Sequence, residues 1–421
     1  MTYDEALQYI HSVSNFFCKP GLERISQLCD CLGNPQNELK FIHVGGTNGK
    51  GSFCAMTESV LRSAGYKVGL FTSPYVKQFN ERMRINGENI PNDTLAALTE
   101  QVKAVADKMA DKPTEFELIT AIAFEYFRRE ACDVVVLEVG MGGRFDATNI
   151  IDTPILSVIT GIALDHIAFL GDTTQKIAYE KAGIIKKGVP VLFGGEDNDA
   201  LAVISDRASE LGSAFYHTDY SSLSVTSADL SGTSFNYKDR KNLRISLLGS
   251  YQPRNAALVI CAIDLLRRGG LKIDDNSLRI GLENARWSAR FEVIAKNPTV
   301  IFDGAHNAQG IDAAVESIKQ YFGKQRVVVF TGVLKDKDYD AISSKISEVA
   351  SAVFTITPDN SRALSASEYA DLFRAKGVPA TACKSVSEAL SLGRQTASES
   401  GTALCCLGSL YTYKEVTDCL D

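Results

Sequence analysis

Glycine, threonine, asparagine and lysine crowd the segment Phe41-Ile-His-Val-Gly-Gly-Thr-Asn-Gly-Lys-Gly-Ser52, a mixture suited to holding phosphate. Glycines let backbone amides converge on an anion, while a following helix N-terminus and a lysine add positive potential. Lys50 is placed to reach the β and γ phosphates of a nucleotide. The strict GxxxxGK(S/T) pattern is not met, because Val44 holds the place of its first glycine and Gly51 that of the hydroxyl, with Ser52 one place later. A variant phosphate loop is expected, against the plainer reading of a glycine turn with Lys50 in solvent. A dinucleotide cradle would give a lysine inside the loop no role.

Other residues could serve the same chemistry. Glu138 ends the apolar run Asp133–Val139, where open α/β sheets bind ligands; it is expected either to hold magnesium or to pair with Arg144 or a nearby lysine. Ser73, in Thr72-Ser-Pro74, offers a hydroxyl to a metal or caps a turn. His166 follows a further strand, and Lys181 lies near a helix end, where a lysine is ordinarily a surface residue. Asp303 and His306 follow a strand in the C-terminal part, and Arg290 stands at the junction before it, either in a functional role or in an interdomain ion pair.

Strands at Lys40–Val44, Lys67–Phe71, Asp133–Val139, Pro154–Thr160 and Val189–Phe193 alternate with helical patterns, which argues for parallel strands with crossover helices. A helix is expected over Ser52–Ala64. From Asp219 to Arg244 the period changes to two in a Ser- and Thr-rich stretch, read as a small antiparallel insertion in the first domain. After Trp287 the strand and helix alternation restarts. The expectation is an α/β protein of two domains: a P-loop doubly wound domain over 1–295 carrying the insertion, then a Rossmann-like α/β domain over 296–421.

Composition sets outer limits. With 421 residues, 45% hydrophobic and 23% charged, the chain can bury more than one core. Its 44 basic and 51 acidic residues give a net charge of −7, which argues against wrapping nucleic acid. No stretch approaches the ~18 apolar residues of a spanning helix, so no membrane role and a cytoplasmic location are expected. Ten cysteines without CxxC spacing fit that compartment.

Taken together and in order, Gly21-Leu-Glu-Arg-Ile25, Gly46-Thr-Asn-Gly-Lys-Gly-Ser52, Thr72-Ser-Pro74, Phe79-Asn-Glu-Arg82, Thr114-Glu-Phe-Glu117, Glu138 to Asn149, Leu164-Asp-His166, Glu180-Lys-Ala-Gly-Ile184, Asp303-Gly-Ala-His-Asn307 and Gly408-Ser-Leu-Tyr411 carry a resemblance. The chain resembles the folylpolyglutamate synthase and bifunctional dihydrofolate synthase/folylpolyglutamate synthase family, within the ATP-dependent Mur ligase superfamily. The resemblance implies that Thr47, Asn48, Gly49, Lys50, Gly51, Ser52, Asn255, Arg290 and Asp303 bind ATP. It implies two magnesium sites served by Ser73, Glu138, His166 and a carbamylated Lys181, with Lys50, Lys181, His166 and Arg290 catalytic. Arg144 and Asp146 are expected at the pterin-carrying substrate, and His306 and Ser409 at the incoming glutamate. Tyr75 and Tyr251 stand where the family commonly has histidine, and Gly45 where another small or hydroxylated residue often precedes the loop.

The implied reaction is ATP-dependent addition of L-glutamate to folates, and also to dihydropteroate, through an acyl phosphate, by a monomer that closes about Trp287–Pro298. A cell-wall Mur ligase is the nearest alternative, disfavoured because only 44 residues precede Gly45. A non-catalytic module clamped by nucleotide is the other; Glu138, His166 and Lys181 together argue against it.

Overall fold

The computed structural model describes residues 1–13, 21–165 and 167–420. The chain divides into two compact units, Met1–Ser221 with Asn255–Ala285, and Ser222–Arg254 with Arg286–Asp421.

The first unit is built on eight strands: β1 Phe41–Gly45, β2 Val68–Phe71, β3 Met83–Ile85, β4 Glu88–Asn89, β5 Val134–Glu138, β6 Leu156–Ile159, β7 Val191–Phe193 and β8 Phe215–His217. Their spatial order is β4-β3-β2-β5-β1-β6-β7-β8. All neighbours are parallel except the β2–β3 and β3–β4 pairs. The central strands β1, β2, β5 and β6 are buried along their whole length, as continuous apolar runs covered on both faces must be. Phe41, Phe71, Phe124 and Phe127 belong to one large apolar cluster of this unit.

The helix Lys50–Ser63, which begins two residues before the expected start, lies against the helix Asp275–Asn284. Backbones meet there: a Cβ on Gly281 would fall 2.3 Å from Val60 Cα, so only glycine admits this approach. The helix Glu115–Arg129 starts from a capping box between Thr114 and Glu117, and buried Arg24 donates to Glu117 Oε2 at 3.1 Å. That bond ties two of the sequence motifs together.

The second unit holds a three-stranded antiparallel sheet, β9 Ser224–Asp229, β10 Gly232–Tyr237 and β11 Arg240–Ile245, ordered β11-β10-β9. It also holds β12 Glu292–Lys296, β13 Thr299–Asp303, β14 Val327–Thr331, β15 Ala350–Thr355, β16 Ala380–Ala382 and β17 Leu404–Leu407. These six are ordered β12-β13-β17-β14-β15-β16, parallel except for the edge strand β12.

Two boundaries differ from expectation. The antiparallel insertion groups with the second unit because the chain leaving it is bonded there: Gly249 N donates to Tyr321 Oη at 3.0 Å and Ser250 N to Ser317 Oγ at 2.9 Å. The division between units falls at Ala285/Arg286, ahead of the 295/296 read from sequence, and part of the expected hinge Trp287–Pro298 is strand β12. Among the described residues no helix is long and apolar enough to cross a membrane.

Candidate functional site

Strand β1 runs into the glycine loop, and the loop into the helix Lys50–Ser63. Gly46 has φ +136° and Gly49, the helix N-cap, φ +84°, conformations that favour glycine. A Cβ on Gly46 would also fall 2.0 Å from Thr160 Oγ1. Thr160 at the end of β6 fixes the loop by donating to Asn48 O at 2.7 Å, and Thr47 N donates to Gly161 O at 2.8 Å. The Thr47 hydroxyl meets the backbone of Ala163, accepting from its N–H at 3.0 Å. Sequence reading missed Thr160; its signal was a hydroxyl residue closing the strand beside the loop. Gly46→Ala is expected to destabilise the first unit by about 1–3 kcal/mol and to weaken nucleotide binding, read by urea melts and calorimetry. Unchanged values in both would contradict this account of the loop.

Two lysines meet at one carbonyl. Lys50 Nζ donates to Gly46 O at 3.2 Å and to Thr47 O at 3.3 Å, and Lys181 Nζ donates to Gly46 O at 2.9 Å. Lys181 is the last residue of the helix Thr174–Lys181 and only 5% exposed, contrary to the surface reading of a lone lysine. Burial first, and then the Lys50 charge, pull its pKa down to about 7. Glycines create that burial: a Cβ on Gly143 would lie 2.8 Å from Glu180 O, and one on Gly183 would lie 2.4 Å from Arg144 Cα. The Met-Gly-Gly-Arg and Glu-Lys-Ala-Gly motifs are thus two backbones in contact. A cleft lined by Gly46, Thr47, Lys50, Gly140, Met141, Asp165 and Lys181 opens beside them.

Glu138 ends β5, 4% exposed, and its Oε2 accepts from Ser73 N at 3.2 Å. The structure therefore brings Glu138 and Ser73 together. It does not bring Arg144 to Glu138: Arg144 lies 4.0 Å over the Tyr179 ring, with its Nε 3.9 Å from Glu180 Oε1. Among the described residues no group of three or more His, Cys, Asp or Glu side chains could hold a metal ion by itself. Glu138 and Ser73 offer hard oxygens that fit a magnesium ion completing its shell with phosphate and water. His166 lies outside the described residues.

Asp146 is buried and already engaged, accepting from Met141 N at 2.9 Å, Thr148 N at 3.0 Å and Thr148 Oγ1 at 2.6 Å. Burial pushes its carboxyl pKa up, and these bonds oppose the rise. Its first task is to shape the loop after Gly140.

Behind it stands His43, fully buried on β1, with Nε2 2.9 Å from Thr148 Oγ1. Because the Thr148 hydroxyl donates to Asp146, we assign the His43 proton to Nε2, which donates to Thr148. Burial, reinforced by Lys186, holds the His43 pKa down at about 3 against an ordinary 6.5. The unfolded chain then takes up a proton that the folded chain refuses as pH falls from about 6.5 toward about 3, so stability falls across that window. His43→Gln is expected to flatten this part of the stability curve; an unchanged acid slope would refute it.

In the second unit Asp303 closes β13, and its carboxylate accepts from Tyr251 Oη at 2.9 Å, Phe291 N at 2.9 Å and Ala305 N at 2.8 Å. Tyr251 thus has a definite partner. Burial raises the Asp303 pKa, opposed first by the Arg290 charge. Arg290 donates from Nη1 to Ala289 O at 3.1 Å and is flanked by two left-handed residues, Ala289 at φ +59° and Phe291 at φ +43°. Such backbone is strained for side chains larger than glycine and persists where the surroundings enforce it. His306 lies with Nδ1 2.9 Å from Gly304 O, and the Ser409 hydroxyl accepts from Tyr411 N at 3.2 Å. Asn255 belongs to the first unit, its Oδ1 2.9 Å from where a Cβ on Gly49 would lie.

Comparison with known proteins places this arrangement. The Mur ligase middle domain matches residues 44–263, and the Mur ligase glutamate ligase domain matches residues 289–410. The chain is 40% identical to the dihydrofolate synthase/folylpolyglutamate synthase of Bacillus subtilis over 380 residues, 88% of each chain. A solved folylpolyglutamate synthase from Mycobacterium tuberculosis, complexed with ADP and AMPPCP, superimposes with a TM-score of 0.88 at 27% identity, covering 98% of this chain and 97% of that one. A folylpolyglutamate synthase complex with AMPPCP and folate gives 0.87 at 35% identity, covering 100% of both. The chain belongs to the folylpolyglutamate synthase/dihydrofolate synthase family of Mur ligases.

Proposed function

We propose that this chain is an ATP-dependent ligase that joins L-glutamate to folates through an acyl phosphate. The observation that carries the reading is the convergence of Lys50 and Lys181 on the Gly46 carbonyl, in a cleft at the mouth of a phosphate loop. Relatives crystallised with an ATP analogue, one of them with folate as well, support it.

An oxygen of the acceptor carboxylate attacks the γ-phosphorus of ATP, the bond to the bridging oxygen breaks, and ADP leaves. The glutamate amine then attacks the acyl carbon of the mixed anhydride. A C–N bond forms, phosphate departs with the electrons of the C–O bond, and the nitrogen loses a proton. The nucleophiles belong to the substrates, so the protein works by position and charge. Loop amides and Lys50 hold the phosphates and offset charge on the transferring group. Magnesium, held by Glu138, Ser73 and the phosphates, would add its own positive charge when bound.

The finer assignments rest on matched sequence positions. Asn255, Arg290 and Asp303 are proposed for ATP, His306 and Ser409 for glutamate, and dihydropteroate as a second acceptor. Lys181 is proposed as a carbamate: its lowered pKa leaves much of the amine neutral near pH 7, able to add carbon dioxide. The carbamate exchanges a cation for an anion beside Lys50, removing the repulsion between the two lysines, and supports a second magnesium.

The test supplies purified protein with ATP, magnesium, L-glutamate and either a reduced folate or dihydropteroate. ADP release that requires both acceptor and glutamate, with a glutamylated product, is expected. Turnover indifferent to both would leave an ATPase or a nucleotide-clamped module.

A further inference from the structure

Arg82 is a cation for which the mechanism above has no use. It ends the short turn Phe79–Arg82 between β2 and β3. That turn is rigidly framed: the buried carboxylate of Glu81 accepts from Val76 N at 2.9 Å, Lys77 N at 3.2 Å and Gln78 N at 3.2 Å. Asn80 Nδ2 donates to Ile90 O at 2.6 Å. The Arg82 carbonyl accepts from Thr72 N at 3.1 Å, which fixes the residue opposite the segment carrying Ser73.

Its guanidinium lies beside a pair of packed aromatic rings, 5.1 Å from the Tyr75 ring centroid and 5.7 Å from that of Phe79. The buried Nε has no hydrogen-bond partner. Among the described residues no carboxylate forms an ion pair with it, although Glu115, Tyr75 and Glu138 all exert a field that favours its charge. Burial works against that charge. A half-buried cation whose Nε is out of water without an acceptor, and which no protein carboxylate pairs, is placed to take its acceptor from a ligand. The planar fork of arginine matches a carboxylate, and Glu138 nearby makes a second like-charged protein group an unsuitable partner to add permanently.

We infer that Arg82 is a binding residue for the reacting carboxylate of the acceptor substrate, drawing it to the strand edge where Ser73 and Glu138 lie. This rests on the ligase reading, since that reaction requires a carboxylate to approach the triphosphate. It goes further in naming the group that recognises it. Contact with the two rings restricts the guanidinium, so less freedom remains to be lost on binding.

The experiment compares wild type with Arg82→Met, which keeps an apolar stem against the rings, and Arg82→Lys. In Arg82→Met the KM for the acceptor is expected to rise about tenfold to a hundredfold, as loss of a charge-assisted hydrogen bond implies, with KM for ATP and L-glutamate essentially unchanged. Arg82→Lys recovers part of the loss. Thermal unfolding of the ligand-free variant is expected at or above the wild-type temperature, because a half-buried cation without an ion-pair partner has gone. In equilibrium binding, wild type prefers the acceptor acid to its carboxamide, and Arg82→Met loses that preference. An unchanged acceptor KM in a wild type that makes product would overturn the inference alone, as would a lower unfolding temperature with all three KM values raised, the mark of a structural cation. A wild type without acceptor-dependent ADP release would remove the underlying reading, and this inference with it.

Discussion

Lys181→Ala is expected to lower ligation by roughly three orders of magnitude or more while leaving the fold intact, a loss comparable to removing a preorganised charge from a reacting centre. The side chain ends a helix, is nearly inaccessible, and donates a hydrogen bond to the carbonyl that Lys50 also uses. A structural lysine does not fit that position well. Its folded pKa of about 7 lies below the unfolded 10.5, so the folded chain binds fewer protons between those values. Stability is therefore fully present above about 10.5, and part of it is lost as pH falls toward 7. Removing the amine relieves this penalty, so unmodified Lys181→Ala should melt no earlier than wild type at pH 7. Loss of activity with retained stability separates a functional lysine from a structural one. Mass spectrometry under bicarbonate should find one added carbon dioxide on wild type and none on the variant. Short carboxylic acids in the medium should restore part of the variant's turnover. Wild-type turnover in Lys181→Ala would end the carbamate proposal.

The glycine loop was legible because its backbone conformations belong to glycine: Gly46 and Gly49 have positive φ, and a run of buried residues precedes them. Strands β1, β2, β5, β6 and β7 were legible for the same reason, as short apolar runs that only a covered parallel sheet accepts. The β3–β4 hairpin was not read, although Asn86-Gly87 carried its signal; both have positive φ, as a tight hairpin demands. Strand β12 escaped because an edge strand needs no apolar run, and Glu292–Lys296 is polar at both ends. Burial of Lys181 could not be read locally, because it arises where two glycine-bearing segments distant in sequence touch. The choice between metal and ion pair at Glu138 stood open in sequence for a similar reason. What redirects Arg144 is Tyr179 and Glu180, thirty-five and thirty-six positions along the chain. Residue types announced the chemistry, whereas long-range packing decided which cations and anions share a surface.

Glu138→Gln is the sharpest test of that sharing, since it keeps the shape and removes only the charge. The amide oxygen can still accept from Ser73 N, so β5 and the Ser73 loop should hold their places. The electrostatics change greatly. Glu138 and Lys50 both act on the buried Cys54 thiol, in opposite senses, and Glu138 also acts on Arg82. Without the carboxylate Arg82 loses one of its counter-charges and the site becomes more positive, repelling a divalent ion while still attracting phosphate. Turnover is expected to fall by about a hundredfold to a thousandfold, and half-saturation by magnesium to move up by about tenfold or more. Metal-free ATP should bind as well as to wild type, or better, because repulsion between carboxylate and triphosphate has been removed. Ser73→Ala, which removes a neutral oxygen, should show a smaller loss in the same direction. The pattern distinguishes a metal-holding carboxylate from one that merely balances nearby cations, for which ATP affinity would shift and the magnesium requirement would not. An unaltered magnesium dependence in Glu138→Gln, measured by ADP release at saturating ATP, would place the metal elsewhere.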